Sequence, residues 1–98
     1  MTKIGEYAFS YCSCLSGSLV IPDLVFDIGS YSFQYCIGLT SIKLNLVVEN
    51  IKKYAFSHCF NLKGNFEIPN SVKKAGMSSF EYCSNLAGVK TSEQLETI

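Results

Sequence analysis

Residues Ile4–Leu15 read IGEYAFSYCSCL. The phrase returns as IGSYSFQYCIGL at Ile28–Leu39, IKKYAFSHCFNL at Ile51–Leu62 and AGMSSFEYCSNL at Ala75–Leu86. Its phenylalanines are Phe9, Phe33, Phe56 and Phe80, its cysteines Cys12, Cys36, Cys59 and Cys83, and its closing leucines Leu15, Leu39, Leu62 and Leu86. Each column advances by 24, 23 and 24 residues, as do the opening positions Ile4, Ile28, Ile51 and Ala75. Four columns in one register across nearly the whole chain define a repeat array. One such unit cannot bury its own apolar face, but units stacked in parallel can. Stacking at roughly 4.8 Å turns each column into a continuous apolar ridge, in which a buried Phe is worth about 3–5 kcal/mol against Ala.

Each unit has two halves of different periodicity. Phe9, Cys12 and Leu15 step by three, with Ala8 one turn before Cys12, and that spacing predicts a short helix or 3₁₀ turns with one buried stripe. The other half is strand-like. LTSIKL places Leu39, Ile42 and Leu44 in the order L-x-x-L-x-L, with Ile42 and Leu44 inward and Lys43 outward. LAGVKT repeats the pattern more weakly through Leu86 and Val89. LSGSLVIP and LKGNFEIP each carry one more residue before Leu19-Val20-Ile21 and Phe66-Glu67-Ile68, which accounts for the alternating interval. Pro22 and Pro69 occur only in these longer units and are expected to end their strands, because proline cannot donate to a ladder. The expected architecture is an α/β solenoid of about four units of 23–24 residues. A short parallel sheet lies on one face and short helices or 3₁₀ turns on the other. The units are placed at about 4–27, 28–50, 51–74 and 75–97 of a single domain, 1–98.

Composition agrees with one globular domain. The chain has 98 residues, 48% hydrophobic and 16% charged, so it can fill a core. Eight lysines balance eight acidic residues, which leaves no basic footprint for nucleic acid or an anionic membrane. No apolar run approaches the eighteen or so residues of a membrane span, and the start, MTKIGEYAFSYC, lacks the order of a secretory signal. Neither end reads as a polar cap, and the run stops at Ile98 where a further phrase would begin. A segment of a longer array, with end-to-end self-association, is therefore expected.

The phrases IGEYAFSYCSCLSGSLVIPDLV and IKKYAFSHCFNLKGNFEIPNSV closely resemble the BspA-type leucine-rich repeat, over essentially all 98 residues. The period also lies within the roughly 20–29 residues of leucine-rich repeats. AGMSSF, with Ala75 and Met77, departs from that pattern. The resemblance implies a leucine-rich repeat stack; that no catalytic residue or cofactor is expected rests on the residues themselves, which offer no polar constellation at a motif spacing. The resemblance further implies a surface or secreted protein that attaches to host proteins or cells, although no signal or anchor is encoded in this chain.

The cysteine ladder gives one thiol per unit and no paired Cys-x2-Cys knuckle, so it is assigned to buried, reduced packing and to no metal. Cys14 breaks the pattern where other units have Gly38, Asn61 and Asn85, and is the candidate exposed thiol. The sole histidine, His58, takes the place of Tyr11, Tyr35 and Tyr82 and is assigned to an outward aromatic column. Tyr7, Tyr31 and Tyr54 form a second such column. Lys52-Lys53 and Lys73-Lys74 read as a solvated face. No phosphate loop, nucleotide fingerprint or glycosylation sequon occurs. The candidate binding face for a protein partner is therefore the outward row of Val20, Lys43, Glu67 and Lys90, flanked by Ser41 and Asn65. Lys43–Glu67 and Glu67–Lys90 are expected to be cross-strand neighbours, worth about 0.2–1 kcal/mol each. The alternative is a structural spacer within a longer array, with no ligand of its own.

Overall fold

The computed structural model describes residues 2–13, 15–76 and 78–90, with the side chain of Lys90 excepted. Cys14, Met77 and the stretch holding Leu95 and Ile98 lie outside the described residues. The chain is a solenoid of parallel strands: β1 (Thr2–Ile4), β2 (Gly17–Val20), β3 (Val25–Ile28), β4 (Leu39–Lys43), β5 (Asn50–Ile51), β6 (Gly64–Glu67), β7 (Lys74–Ala75) and β8 (Leu86–Lys90). One sheet runs β1-β3-β5-β7 and carries the opening Ile4, Ile28, Ile51 and Ala75 of each phrase. That sheet was not legible as a separate face. Between the sheets lies the core, built from the repeat columns: Ile28 and Ile51, Phe33 and Phe56, Leu39 and Leu62, with Val25, Val48 and Val72 behind them. Phe9, Phe33, Phe56 and Phe80 form the single expected ridge, with successive ring centroids 5.3, 5.5 and 5.5 Å apart.

The expected helical face is not helical. Among the described residues there is no helix, and therefore none long and apolar enough to cross a membrane. The reason is a left-handed backbone at two positions of every phrase: Tyr7 and Tyr11, Tyr31 and Tyr35, Tyr54 and His58, Ser78 and Tyr82, all with φ between 57° and 61°. A left-handed residue every fourth position cannot propagate a right-handed helix. What forms instead is a stack of turns with two alternating hydrogen bonds. Ala8, Ser10 and Cys12 N–H close onto the carbonyls of Gly5, Tyr7 and Phe9, at 3.1–3.2 Å. Tyr7, Phe9 and Tyr11 N–H donate instead to the next rung, at Ser30, Ser32 and Gln34 O, over 2.7–3.0 Å. The second rung repeats the scheme onto Lys53, Ala55 and Ser57 O. The step of three seen in the sequence is thus real, but it belongs to turns.

On the opposite side the strands pair as β2-β4 and β6-β8, in two separate two-stranded sheets. The single continuous sheet expected there is interrupted between β4 and β6. Each pair joins a longer unit to the shorter unit after it, and each has a register shift at its start, next to Gly17 or Gly64. Both glycines have positive φ, 73° and 70°, so the additional residue is absorbed by a left-handed kink that glycine adopts without steric cost. The step from short to long, from β4 to β6, makes no ladder. Pro22 and Pro69 stand two residues beyond the ends of β2 and β6, in keeping with their expected role.

The cysteine column lies against the core. Cys36, Cys59 and Cys83 are buried, Cys12 is only half-buried because no described rung covers it, and all four are free thiols. Each buried thiol donates to the phenylalanine carbonyl of the preceding rung: Cys36 to Phe9 O, Cys59 to Phe33 O and Cys83 to Phe56 O, each at 3.1 Å. The column therefore links rungs as well as filling space. Burial pushes the Cys36 thiol up to about 11. The adjacent Cys83 thiol, together with burial, holds Cys59 well above the usual thiol range.

Ser78 has the left-handed conformation without a ring to stack, so Ser78→Gly should stabilise the fold by about 1 kcal/mol. Tyr31→Gly relieves the same conformation but loses stacking on both sides and should destabilise it; thermal melts of the two variants check the opposite signs. The buried thiols should resist alkylation at pH 8 until the chain is unfolded. Folding raises the ionisation of Cys36, so that thiol's contribution to stability is complete below the unfolded value of 9.0 and is lost as pH rises through about 11. Denaturant melts between pH 8 and 11 would show that decline, and a flat profile would contradict it.

Candidate functional site

Strand alternation turns Val20, Ser41, Lys43, Asn65 and Glu67 outward on the side of the two strand pairs, and all five are exposed. Val20 stands opposite Lys43 in the β2-β4 register, and Glu67 opposite Lys90 in β6-β8. Ser41 Oγ donates to Ser18 Oγ at 2.7 Å, a cross-strand bond at the surface. The expected Lys43–Glu67 pairing is not made. These residues belong to β4 and β6, which share no ladder, so the two charges face each other across an opening instead of along a sheet. The backbone of Lys90 joins the row, whereas its side chain lies outside the described residues, as does the candidate thiol Cys14.

The opening is a cleft of about 450 Å³. Ile42, Lys43 and Leu46 line one wall; Asn65, Glu67 and Asn70 line the other. Leu44 and Ile68 also line it, and both are largely buried, so the cleft has an apolar floor. At its rim Leu46 is 83% exposed and Val47 is exposed beside it. One side chain explains why the cleft falls here and not one rung earlier. Asn45 Nδ2 donates to Pro22 O at 2.6 Å and to Val25 O at 2.8 Å, while its Oδ1 accepts from Val47 N at 2.7 Å and Val48 N at 2.9 Å. This buried amide ties the second rung to the first with both donors and both lone pairs engaged. In the next rung Pro69 occupies the equivalent place, after Ile68 as Asn45 follows Leu44, and proline has no donor with which to reach back. Asn45 was not singled out from sequence, although its substitution for proline in the I-P turn was a visible signal.

The turn side carries two aromatic stacks. Tyr7, Tyr31 and Tyr54 stack at 4.7 and 5.1 Å. In the second, Tyr11 stacks on Tyr35 at 4.7 Å and Tyr35 on His58 at 4.2 Å, while Tyr82 lies tilted by 32° against His58 at 4.7 Å. His58 is thus a member of the aromatic column, with Phe60 set edge-on against it at 5.7 Å. The inner members of both stacks, Tyr31, Tyr35 and His58, have a ring on each face. Asn61 and Asn85 brace the same side by donating to Ile37 O and Phe60 O at 2.6 and 2.7 Å.

Of the lysine pairs, Lys52 is exposed as expected of a solvated face and also makes an ion pair. Its Nζ lies 3.3 Å from Oδ2 of Asp27, whose side chain is 7% exposed. Asp27 sits between Lys3 and Asn50 in the register of the four-stranded sheet. Buried carboxylates need a cation partner, and Lys52 supplies it. Among the described residues no three His, Cys, Asp or Glu side chains form a group that could hold a metal ion. The features that stand out are a split sheet, a charged and partly apolar cleft, and an aromatic ridge on the turn side.

The sequence matches the BspA type leucine rich repeat region, in six copies, over residues 2–98. A comparison with curated proteins finds no match. Among solved structures the chain is similar to a leucine-rich repeat protein from Bacteroides ovatus ATCC 8483, with a TM-score of 0.76 and 26% identity. That similarity covers 99% of this chain and 28% of the other, so this chain spans little more than a quarter of its relative's length. With a family match over nearly every residue, and the parallel rungs to go with it, the chain belongs to the BspA-type leucine-rich repeat family.

Proposed function

We propose that the chain is a non-catalytic protein-binding module whose docking face is the side of the two strand pairs. One observation carries this reading: Lys43 and Glu67 stand exposed on either side of a cleft where the repeat leaves the strands unpaired, with Val20 exposed on the strand beside Lys43. A mixed-charge rim around an apolar floor is the anatomy of a modest protein interface. The resemblance of the repeat to surface-associated members of its family supports attachment to a host extracellular protein as the setting. Capture of extracellular-matrix proteins by the immobilised chain tests it. The double variant Lys43→Glu with Glu67→Lys should lower retention about tenfold or more through loss of charge complementarity, while Tyr11→Ser on the opposite side leaves it unchanged. Equal retention by all three proteins would overturn the assignment of the face.

A second reading, a spacer that stacks against further rungs, is favoured by the first rung. Tyr7, Phe9 and Tyr11 are stacked on one face only, and Phe9 remains 39% exposed where Phe33 and Phe56 are buried. Another rung would bury that layer. Head-to-tail association does not close on itself, so sedimentation should show a size distribution that grows with concentration. A single monomer at all concentrations would exclude self-stacking.

A further inference from the structure

Two strand edges face one another across the cleft without pairing. β4 presents the edge that would meet a following strand, and β6 the edge that would meet a preceding one, yet they form no ladder. Outside the ladders, Lys63 N–H to Thr40 O, at 3.0 Å, is the backbone bond that joins this neighbourhood, at the start of the two strands. From there they diverge toward Lys43 and Glu67, and the cleft opens between them. An open strand edge is a template for another strand, because each N–H and C=O along it calls for a partner. Between the first and second rungs, and between the third and fourth, that requirement is met on this side by the parallel ladders β2-β4 and β6-β8. Here the requirement is left to the cleft.

We propose that this cleft docks an extended peptide segment of a partner protein, which adds as a strand along the facing edges of β4 and β6. The proposal rests on the protein-binding reading above and specifies the form of the ligand. Main-chain groups of the segment would pair with the edges, the mode in which backbone bonds supply affinity and alternate side chains supply selectivity. Side chains on its inward side would lie over Leu44 and Ile68, which calls for an apolar residue there. The walls set the charge pattern: an acidic residue faces Lys43, and a basic residue faces Glu67 and Asn70.

The test is a titration of the isotope-labelled 98-residue chain, followed by amide resonances. The probe is an end-blocked hexapeptide of alternating valine and threonine that contains one aspartate and one lysine. A second probe is the same peptide with alternate amide nitrogens methylated, which keeps the side chains and removes the donors on one edge. Shifts should be confined to residues 40–46 and 63–70, and methylation should weaken binding at least about tenfold, the equivalent of a lost hydrogen bond or two. Shifts elsewhere, no shifts at millimolar peptide, or equal binding of the methylated probe would each overturn strand docking. Protection of the same amides by concentration alone, without peptide, would assign the cleft to a second copy of the chain and overturn it as well. If the peptides fail while partner capture still depends on Lys43 and Glu67, the docking face stands and the extended form of its ligand falls.

Discussion

The hydrogen bond that passes from alternate amides of one turn to the carbonyls of the next, as from Phe9 N to Ser32 O at 2.7 Å, is the constraint on which this solenoid depends. It exists only because Tyr7 and Tyr11, and their counterparts in each rung, accept a left-handed backbone. In a helix those amides would point along their own axis and leave nothing to bind a neighbour. The conformation costs something of the order of 1 kcal/mol at each non-glycine position. Stacked rings on the outside, with centroids 4.2–5.1 Å apart along the two columns, offset that cost. The tyrosines therefore hold a strained turn in register with its copies, which is a reason for their recurrence that needs no ligand.

The interior follows from this spacing. Once the turns are locked rung to rung, Phe33 and Phe56 stack beneath them, and the cysteine one turn on reaches the phenylalanine carbonyl below. A thiol suits that place because it is small, apolar and a weak donor. Serine would fit the volume but bring a hydroxyl that is costlier to bury. The columns of the phrase are thus one linked device: a left-handed aromatic outside, a phenylalanine inside, and a thiol that ties one rung to the last.

Much of this was legible from Ile4–Leu15 and its copies. Period, parallel stacking, the phenylalanine ridge and the L-x-x-L-x-L strands all follow from column arithmetic, because a buried column can be seen as an apolar letter repeated in phase. The turn conformation was not, since φ at Tyr7 or His58 leaves no mark in hydrophobic periodicity, and steps of three fit a helix equally well. The split sheet was half legible. The alternation of 24 and 23 residues was visible at Gly17 and Gly64, but its consequence depends on which neighbour each longer unit pairs with. That choice is made by side chains such as Asn45, a polar residue inside a turn that periodicity ignores. The outward row Val20, Lys43 and Glu67 follows from alternation, and so does the Glu67–Lys90 register, whereas the Lys43–Glu67 neighbourhood does not form.

The interruption between β4 and β6 also shapes how the molecule can bend. In a stack held by nearest-neighbour couplings, each rung boundary has its own stiffness. The boundary between the second and third rungs keeps its turn bonds, its β3-β5 pairing and the Phe33–Phe56 stack, yet lacks a ladder on the other side. Such a boundary is stiff along one line and compliant across from it, which is the mechanics of a hinge with its pin along the turn face. Curvature of the solenoid is thereby adjustable at one place, and a longer array with the same alternation of unit lengths would flex in doublets of rungs.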